Sequence, residues 1–239
     1  DASATNATIR AGTAFTMSGA GTVSAYRLEV GTVTPSALTW NAGTLTVGAG
    51  GVSAKNFSSA GTATRALNMG SGIWDMSGTG NVWSLGGSGY TIDAQTSTID
   101  ITDTSATAKS ATFTAQAWNN LRVRGASGAG AVTLGSSGIT HTFNQVTLDP
   151  NANVVFHSTG TFGMSGLICA GTSGNLVTLT ATTANNHAPI TVSSNVVADY
   201  MSIKDSALSG GRTDYAGSHS TDVAGNTGGL LSDPPPPPT

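Results

Sequence analysis

The sequence predicts an all-β chain wound into an elongated β-solenoid, a parallel β-helix-like coil of short strands joined by glycine-rich turns. Charged residues make up only 9% of the 239 residues and Glu29 is the single glutamate, so good helix formers are scarce. β-Branched residues alternate with other residues over 97–104 and 175–182, a pattern typical of strands. Hairpins favour Asn-Gly or Asp-Gly turns, and neither dipeptide occurs in the chain. We therefore expect parallel coils, with a β-sandwich as the alternative.

Short strands are predicted along most of the chain, with glycine and other turn residues between them. In order they cover residues 28–30, 44–47, 73–76, 81–85, 90–93, 97–102, 111–114, 121–124, 131–134, 141–148, 154–156, 176–182 and 196–203. Many of these segments are only three to six residues long.

The spacing of large apolar residues predicts the size of one coil. Apolar residues in the clearest stretch are separated by six to eight positions, at Leu148, Val154, Phe162, Ile168 and Leu176. Three such steps give a coil of roughly twenty residues or slightly more, the size expected of a solenoid turn with three faces.

Composition divides the chain into three segments. Residues 1–65 form a β segment rich in Gly, Ala and Thr, for which we expect the weakest packing. Residues 66–229 contain most of the aromatic residues and are predicted to form the solenoid body with a C-terminal cap. Residues 230–239 are a proline-rich linker, because a run of prolines adopts a stiff polyproline II helix and donates no backbone hydrogen bonds.

Charge and hydropathy exclude several kinds of partner. The net charge of −3 offers no basic surface for a nucleic acid, and no apolar run is long enough to insert into a membrane. The chain begins at Asp1 without an initiator methionine or a leader peptide, so we expect a fragment or a processed chain.

Residues that could carry chemistry are dispersed. Cys169 is the single cysteine and is expected to be buried and unreactive among small apolar neighbours. The four histidines, His141, His157, His187 and His219, lack the spacing of metal ligands, so neither a metal site nor a cofactor site is predicted.

Three aspartates are the best candidates for an active site. Asp93, Asp100 and Asp103 would have to supply any pair of carboxylates for glycoside hydrolysis, as in a tailspike-like polysaccharide depolymerase. Residues of odd separation point to opposite faces of a strand, so Asp100 and Asp103 are expected to diverge. We therefore interpret these aspartates as solvated strand polarity and predict no catalytic residue.

A surface binder for ice or minerals is a further alternative. It is suggested by Thr-x-Thr pairs at 44–46, 112–114 and 178–180, but these pairs do not recur at a constant interval. The sequence therefore does not support a flat threonine array.

The C-terminal part of the chain contains a series of short motifs. They are Val197-Ala-Asp-Tyr-Met-Ser-Ile-Lys-Asp-Ser206, Gly210-Gly211, Tyr215-Ala-Gly217, Ser220-Thr-Asp222 and Asn226-Thr-Gly228, preceded by Trp118-Asn-Asn-Leu121 and Gly174-Asn-Leu-Val-Thr-Leu179. Over residues 66–228 they resemble a β-helix-like repeat domain of tailed-phage virion proteins, of the fibre or appendage kind, and of related bacterial surface proteins. Where that domain has an aromatic residue after Asn-Thr-Gly, this chain has Gly229, Leu230 and Leu231.

The resemblance implies a non-enzymatic structural or adhesive protein. It implies a location in the virion, or alternatively a secreted or cell-surface adhesin. The implied partners are further copies of the chain in a homotrimer, other virion proteins and a host surface glycan. It supplies no catalytic residue, metal ligand or cofactor.

The sequence also predicts which side chains point inward. We expect Phe143, Phe156, Phe162, Leu176 and Tyr200 to stack along one core. Within 197–206, Val197, Tyr200, Met201 and Ile203 are expected to be apolar anchors, whereas Asp199, Lys204 and Asp205 are expected to remain solvated. Asp205, Ser206 and Asp222 are expected to stabilise tight turns, and residues 209–229 are expected to form a cap or an exchanged strand.

Overall fold

A computed structural model describes residues 7–31, 33–210 and 216–228, apart from the side chain of Asn195. Every regular element in these residues is a β-strand, none is a helix, and all ladders between the strands are parallel. The predicted all-β solenoid is confirmed, with about nine turns, and the β-sandwich alternative is wrong. The proline run at 230–239 lies outside the described residues.

The strands form two parallel sheets that extend along the whole solenoid. The larger sheet contains β1 (Thr8–Ala11), β3 (Thr22–Val30), β5 (Gly43–Ala54), β7 (Arg65–Asn68), β8 (Ile73–Met76), β10 (Tyr90–Asp93), β11 (Thr98–Ile101), β13 (Ala117–Val123), β15 (Thr140–Leu148), β17 (Thr161–Ala170), β19 (Ala188–Asp199), β21 (Ser206–Ser209) and β23 (Thr227–Gly228). The smaller sheet contains β2 (Phe15–Met17), β4 (Ala37–Trp40), β6 (Asn56–Ser59), β9 (Gly80–Leu85), β12 (Lys109–Thr112), β14 (Val132–Leu134), β16 (Asn153–Phe156), β18 (Val177–Ala181), β20 (Met201–Lys204) and β22 (Thr221–Ala224).

The long strands of the larger sheet bend at a corner. In β17, Phe162 and Met164 are buried, and the alternation then changes phase so that Leu167 and Cys169 are buried. A straight strand would keep one phase, so the change marks a bend that divides this sheet into two faces. Together with the smaller sheet, each coil therefore has three faces. The β15 and β17 strands pair at a constant offset of 21 residues, in agreement with the predicted coil size.

The core is a continuous column of stacked side chains. Phe57 stacks on Trp83 with ring centroids 4.4 Å apart, and Trp40 and Phe113 extend this row on either side at 6.3 Å. Two of these rings, Trp40 and Phe57, lie within residues 1–65 and are fully buried, whereas β1 and β2 at the start of this segment bury only Met17. The expectation that this segment has the weakest packing stays a prediction. Both sheets continue across residue 65, and the three-segment division itself stays a prediction.

Three of the five residues predicted to point inward do so. Phe143, Phe156 and Phe162 are all at most 2% exposed. Leu176 is 38% exposed because it precedes β18, in which Val177 occupies the inward position. Tyr200 is only partly buried because it has a positive φ of 51° at the corner between β19 and β20.

Two expectations for the segment 197–206 are also wrong. Val197 is 46% exposed, because it pairs with the outward Ile168. Asp205 is only 2% exposed, because the next coil covers it, and its carboxylate accepts from the backbone N–H of Asn185 at 3.1 Å. Met201 and Ile203 are fully buried, as predicted.

A buried arginine holds two glycine-rich loops in place. Arg65 begins β7 and is 2% exposed, with its guanidinium 5.1 Å from the ring centroids of both Trp40 and Tyr90. It donates to Ser59 Oγ and to the carbonyl oxygens of Gly61, Ala63, Gly86 and Ser88. The four carbonyl oxygens belong to the loops 60–64 and 86–89 of successive coils, whereas Ser59 ends β6. The arginine therefore connects the two loops through carbonyl groups that lie outside the strands.

The core position of Phe162 predicts a large loss of stability on truncation. Its ring lies 4.7 Å from that of Phe156 and 4.9 Å from that of His141, so Phe162→Ala leaves a cavity and should cost about 3–5 kcal/mol. The control is Ser137→Ala at an exposed loop position, with an expected cost below about 0.5 kcal/mol. Denaturant unfolding of both variants measures the difference, and equal small losses would contradict the observed register.

Candidate functional site

The three candidate aspartates are held by separate partners. Asp93 accepts from the backbone N–H of Gln95 at 3.2 Å, which closes a turn. Asp103 forms an ion pair of 2.9 Å with Lys109, whose side chain is completely buried. The Asp103 carboxyl has a lowered pKa, because hydrogen bonds from Ser105 and Lys109 outweigh the opposing effect of burial. These two carboxylates therefore serve turn and loop structure.

Asp100 lies in an ionic ladder on the outward-facing side of the larger sheet but is only 2% exposed, so the expectation that it is solvated is wrong. Arg124 donates to both carboxylate oxygens of Asp100, at 3.0 Å from Nε and 2.8 Å from Nη2. The hydrogen bond to Asp100 raises the pKa of Arg124 further, against the effect of burial. Because the guanidinium engages both oxygens of Asp100, neither is free to face a sugar.

The register brings one further carboxylate next to Asp100, which sequence reasoning missed. Asp75 in β8 is the direct register partner of Asp100 in β11, and it accepts a hydrogen bond of 2.6 Å from Thr102 Oγ1. This juxtaposition arises from two coils whose residues are 25 positions apart, so inspection of local spacing could not find it.

The histidines occupy unrelated sites. His141 is fully buried against Phe162, and burial lowers its pKa, while its Nε2 accepts from the backbone N–H of Ser136 at 3.0 Å. His157 contacts Thr159, His187 precedes β19, and His219 lies in the last coil. In the parts of the chain that the structure describes, no three His, Cys, Asp or Glu side chains are grouped closely enough to hold a metal ion.

Cys169 is buried in the core, as predicted. It is 0% exposed, and its Sγ lies 3.3 Å from Met201 Sδ. Burial raises the pKa of the thiol to about 12. The thiolate required of a nucleophile is therefore suppressed.

The C-terminal motifs fasten the last described coil to the coils before it. The carboxylate of Asp199 accepts from the backbone N–H of Tyr200 at 2.9 Å and from both the backbone N–H and Nδ1 of His219, at 3.1 and 2.9 Å. The His219 ring stacks on that of Tyr200 with centroids 4.2 Å apart. We name these three residues, Asp199, Tyr200 and His219, the C-terminal clamp.

Two further residues extend the attachment of the last coil. Ser220 Oγ accepts from the backbone N–H of Met201 at 2.9 Å. Asn226 Oδ1 accepts from the backbone N–H of Ser206, and its amide donates to the carbonyl of Ile203. The expected cap over 209–229 is thus a further parallel coil where it is described, with β22 and β23 continuing the two sheets. Residues 211–215 and 229 lie outside the described residues.

Three shallow depressions adjoin the corner of the larger sheet. Their volumes are about 280, 210 and 180 Å³. The first shares Gln145 with the second and Ser165 with the third, so the three are continuous across the coils from β11 to β19. We name this surface the polar groove and define it by Thr98, Asn120, Asn144, Gln145, Ser165 and Ser194.

Side-chain amides form a ladder along the polar groove. Asn144 Nδ2 donates to Asn120 Oδ1 at 3.3 Å, and Asn120 Nδ2 lies 3.5 Å from Thr98 Oγ1. Gln145 Nε2 donates to Thr147 Oγ1 at 3.4 Å. Each amide retains further donor or acceptor capacity beyond these bonds. The ladder therefore fixes the orientation of groups that can still bind a ligand.

The groove arises from a recognisable break in the sequence pattern. At the corner of three successive coils, two consecutive polar or small residues interrupt the alternation of buried residues, at Asn119-Asn120, Asn144-Gln145 and Ser165-Gly166. Sequence reasoning missed this signal because it treated each strand as straight. The same break at successive coils would have identified the corner.

The groove carries little net charge. Arg122 is the charged residue in its lining, and its Nε and Nη2 atoms donate to the two oxygens of Asp149 at 3.0 Å. The other side chains that define the groove are neutral. An occupant would thus meet hydroxyls and amides, together with apolar surface from Leu121 and Ile168, rather than a field of one sign.

Comparisons with known proteins returned no match among family models, curated proteins or solved structures. Within the described ranges, there is no helix with the length and apolar character required to cross a membrane.

The buried thiol predicts slow modification of the native protein. At about pH 8 the raised pKa of Cys169 lowers its thiolate fraction by about three orders of magnitude relative to a free cysteine. A chromogenic disulfide reagent should therefore react slowly with folded protein and rapidly in guanidinium chloride. Rapid reaction under native conditions would contradict the burial of Cys169.

The C-terminal clamp predicts that the last coil loosens in acid. Burial is the largest single effect on the pKa of Asp199 and raises it, but the hydrogen bonds from the His219 side chain and from the backbone N–H groups of Tyr200 and His219 together outweigh burial and lower the pKa. A carboxyl with a lowered folded pKa stabilises the fold above its unfolded value of about 3.9, and this contribution disappears as the pH falls through the folded pKa. The protection of the backbone amides of residues 216–228 against hydrogen exchange, relative to an unfolded chain at the same pH, should therefore decrease below about pH 4.

Asp199→Asn is the matched variant for this prediction. It retains an acceptor oxygen but cannot titrate, so exchange in 216–228 should be faster than in the wild type at neutral pH and should lose the part of its acid response that Asp199 causes. An unchanged acid response in the variant would assign the effect to another group.

Proposed function

We propose that the protein is a non-enzymatic structural or adhesive component that serves as a stiff shaft on the outside of a particle or cell. The main observation in support of the proposal is the pair of parallel sheets, which enclose one apolar core over about nine turns. Such a rod presents long polar surfaces while its length is maintained by backbone hydrogen bonds between coils.

The setting that we propose is a phage virion, as a fibre or a tail or capsid appendage, with a bacterial surface adhesin as the alternative. The support for this setting is the resemblance of residues 66–228, and above all of the C-terminal motifs. Asp199, Ser220 and Asn226 of those motifs are the residues that fasten the last coil, so the motifs have a structural reason to occur together. Further copies of the chain in a trimer and other virion proteins are the proposed partners.

A polysaccharide depolymerase is the second candidate, favoured by the register pairing of Asp75 with Asp100. Glycoside hydrolysis needs one carboxyl that can donate a proton and another that can attack or activate water. Arg124 engages both oxygens of Asp100, and Thr102 engages Asp75, so this pair is organised as an ionic ladder. The geometry therefore favours the structural candidate.

A sugar-release assay distinguishes the two candidates. Intact protein incubated with bacterial polysaccharides should release no reducing ends, and its mass in solution should be that of a trimer. Three results together would favour the depolymerase over the structural function. The wild type would cleave a polysaccharide, Asp75→Asn and Asp100→Asn would each abolish cleavage, and Asp93→Asn would not. Thermal unfolding of all three variants would separate loss of activity from loss of fold.

A further inference from the structure

We propose that the polar groove binds an uncharged polysaccharide, with the chain of sugars lying along the solenoid axis. The inference rests on the proposed adhesive function and names the ligand class and the residues of its contact surface. The reasons are the chemistry of the lining side chains, their spacing and the balance of charge.

The lining matches the chemistry of vicinal hydroxyl groups. A sugar hydroxyl both donates and accepts hydrogen bonds, and a side-chain amide offers a donor and an acceptor about as far apart as two neighbouring hydroxyls. Asn144 is exposed and Gln145 is partly exposed at the centre of the groove, and the exposed hydroxyl of Ser165 lies beside them. The partly exposed Ile168 adds an apolar contact for the C–H face of a sugar ring.

The spacing of the coils suits a polymer more than a single sugar. Parallel strands lie about 4.8 Å apart, which is close to the length of one sugar unit in an extended chain, so β11 to β19 span about 19 Å. Polar side chains recur in one column over three coils, since Thr98 pairs with Asn120 and Asn120 pairs with Gln145, and the column then reaches Gly166. Successive sugar units can therefore meet similar groups on β11, β13 and β15.

The amides are already oriented before a ligand binds. The contacts between Asn144 and Asn120 and between Gln145 and Thr147 restrict the rotamers of these side chains. Less side-chain entropy is then lost when a sugar binds, which favours binding by a shallow surface. Several weak contacts along one polymer, and several copies of the chain, raise the overall avidity.

The charge of the lining selects against acidic polysaccharides. Arg122 is paired with Asp149, and Arg124 is shared between Asp100 and Asp149. A ligand carboxylate or sulfate would have to displace a bidentate partner or lie near these aspartates. A neutral polymer avoids both costs.

Affinity electrophoresis of the full chain tests the proposal. Gels containing dextran, mannan or galactomannan supply the neutral probes, and gels containing alginate or hyaluronate supply the acidic probes. We expect retardation by at least one neutral polymer and none by the acidic polymers. The double variant Asn144→Ala/Gln145→Ala should weaken that retardation about tenfold, which corresponds to about 1.4 kcal/mol.

Asn81→Ala is the matched control, because Asn81 is an exposed amide in β9 of the smaller sheet. It should bind as the wild type does, and thermal unfolding should show that both variants keep the fold. Retardation by no neutral polymer, preference for an acidic polymer, or equal losses from the control and the double variant would each overturn the groove assignment. Those outcomes would not contradict the proposed structural function, whereas release of reducing ends from a bound polymer would overturn it.

Discussion

The backbone hydrogen bonds between successive coils are the constraint on which the rest of the structure depends. Parallel strands must pair in register, so each inward side chain lies directly over the inward side chain of the previous coil. One apolar column formed in this way passes through Leu28, Val52, Trp74, Ile99, Leu121, Val146 and Leu167. Because this apolar column is narrow, it needs few large apolar residues. The outward positions can then be occupied by small residues such as Ser and Thr, with few charged residues among them.

Because the strands pair in register, differences in coil length occur in the connecting loops. The backbone groups of those loops need polar side chains as hydrogen-bond partners. Arg65 and Lys109 fulfil this role from buried positions, by donating to loop carbonyls beyond the reach of either sheet. His141 accepts from the backbone N–H of Ser136 in a similar way. Arg65, Lys109 and His141 therefore organise turns from buried positions. In the C-terminal clamp, the carboxylate of Asp199 has a similar role, because it accepts from the backbone N–H groups of Tyr200 and His219.

The candidate site depends on the same register. Asn120, Asn144 and Gln145 come from neighbouring coils and meet only because the corner of each coil is stacked on the corner before it. Sequence reasoning concentrated on aspartates because their chemistry is recognisable by residue type. It interpreted Asp93, Asp100 and Asp103 as solvated strand polarity, whereas Asp100 is only 2% exposed, and it missed Asp75 beside Asp100. Amides and hydroxyls are common in this composition, so only their spatial alignment distinguishes a groove from ordinary surface.

The sequence by itself determined the all-β class, the parallel solenoid, the approximate coil length and the burial of Phe162 and Cys169, because these follow from composition and local alternation. It missed strands such as β4 and β6, where Trp40 and Phe57 lie among threonines and serines and the pattern is too short to read alone. Only the tertiary structure decided which coils lie in contact, where Leu176 and Tyr200 point, and how the groove is assembled. Those features depend on pairing between residues about twenty to thirty positions apart, and variable loops shift that pairing from one coil to the next.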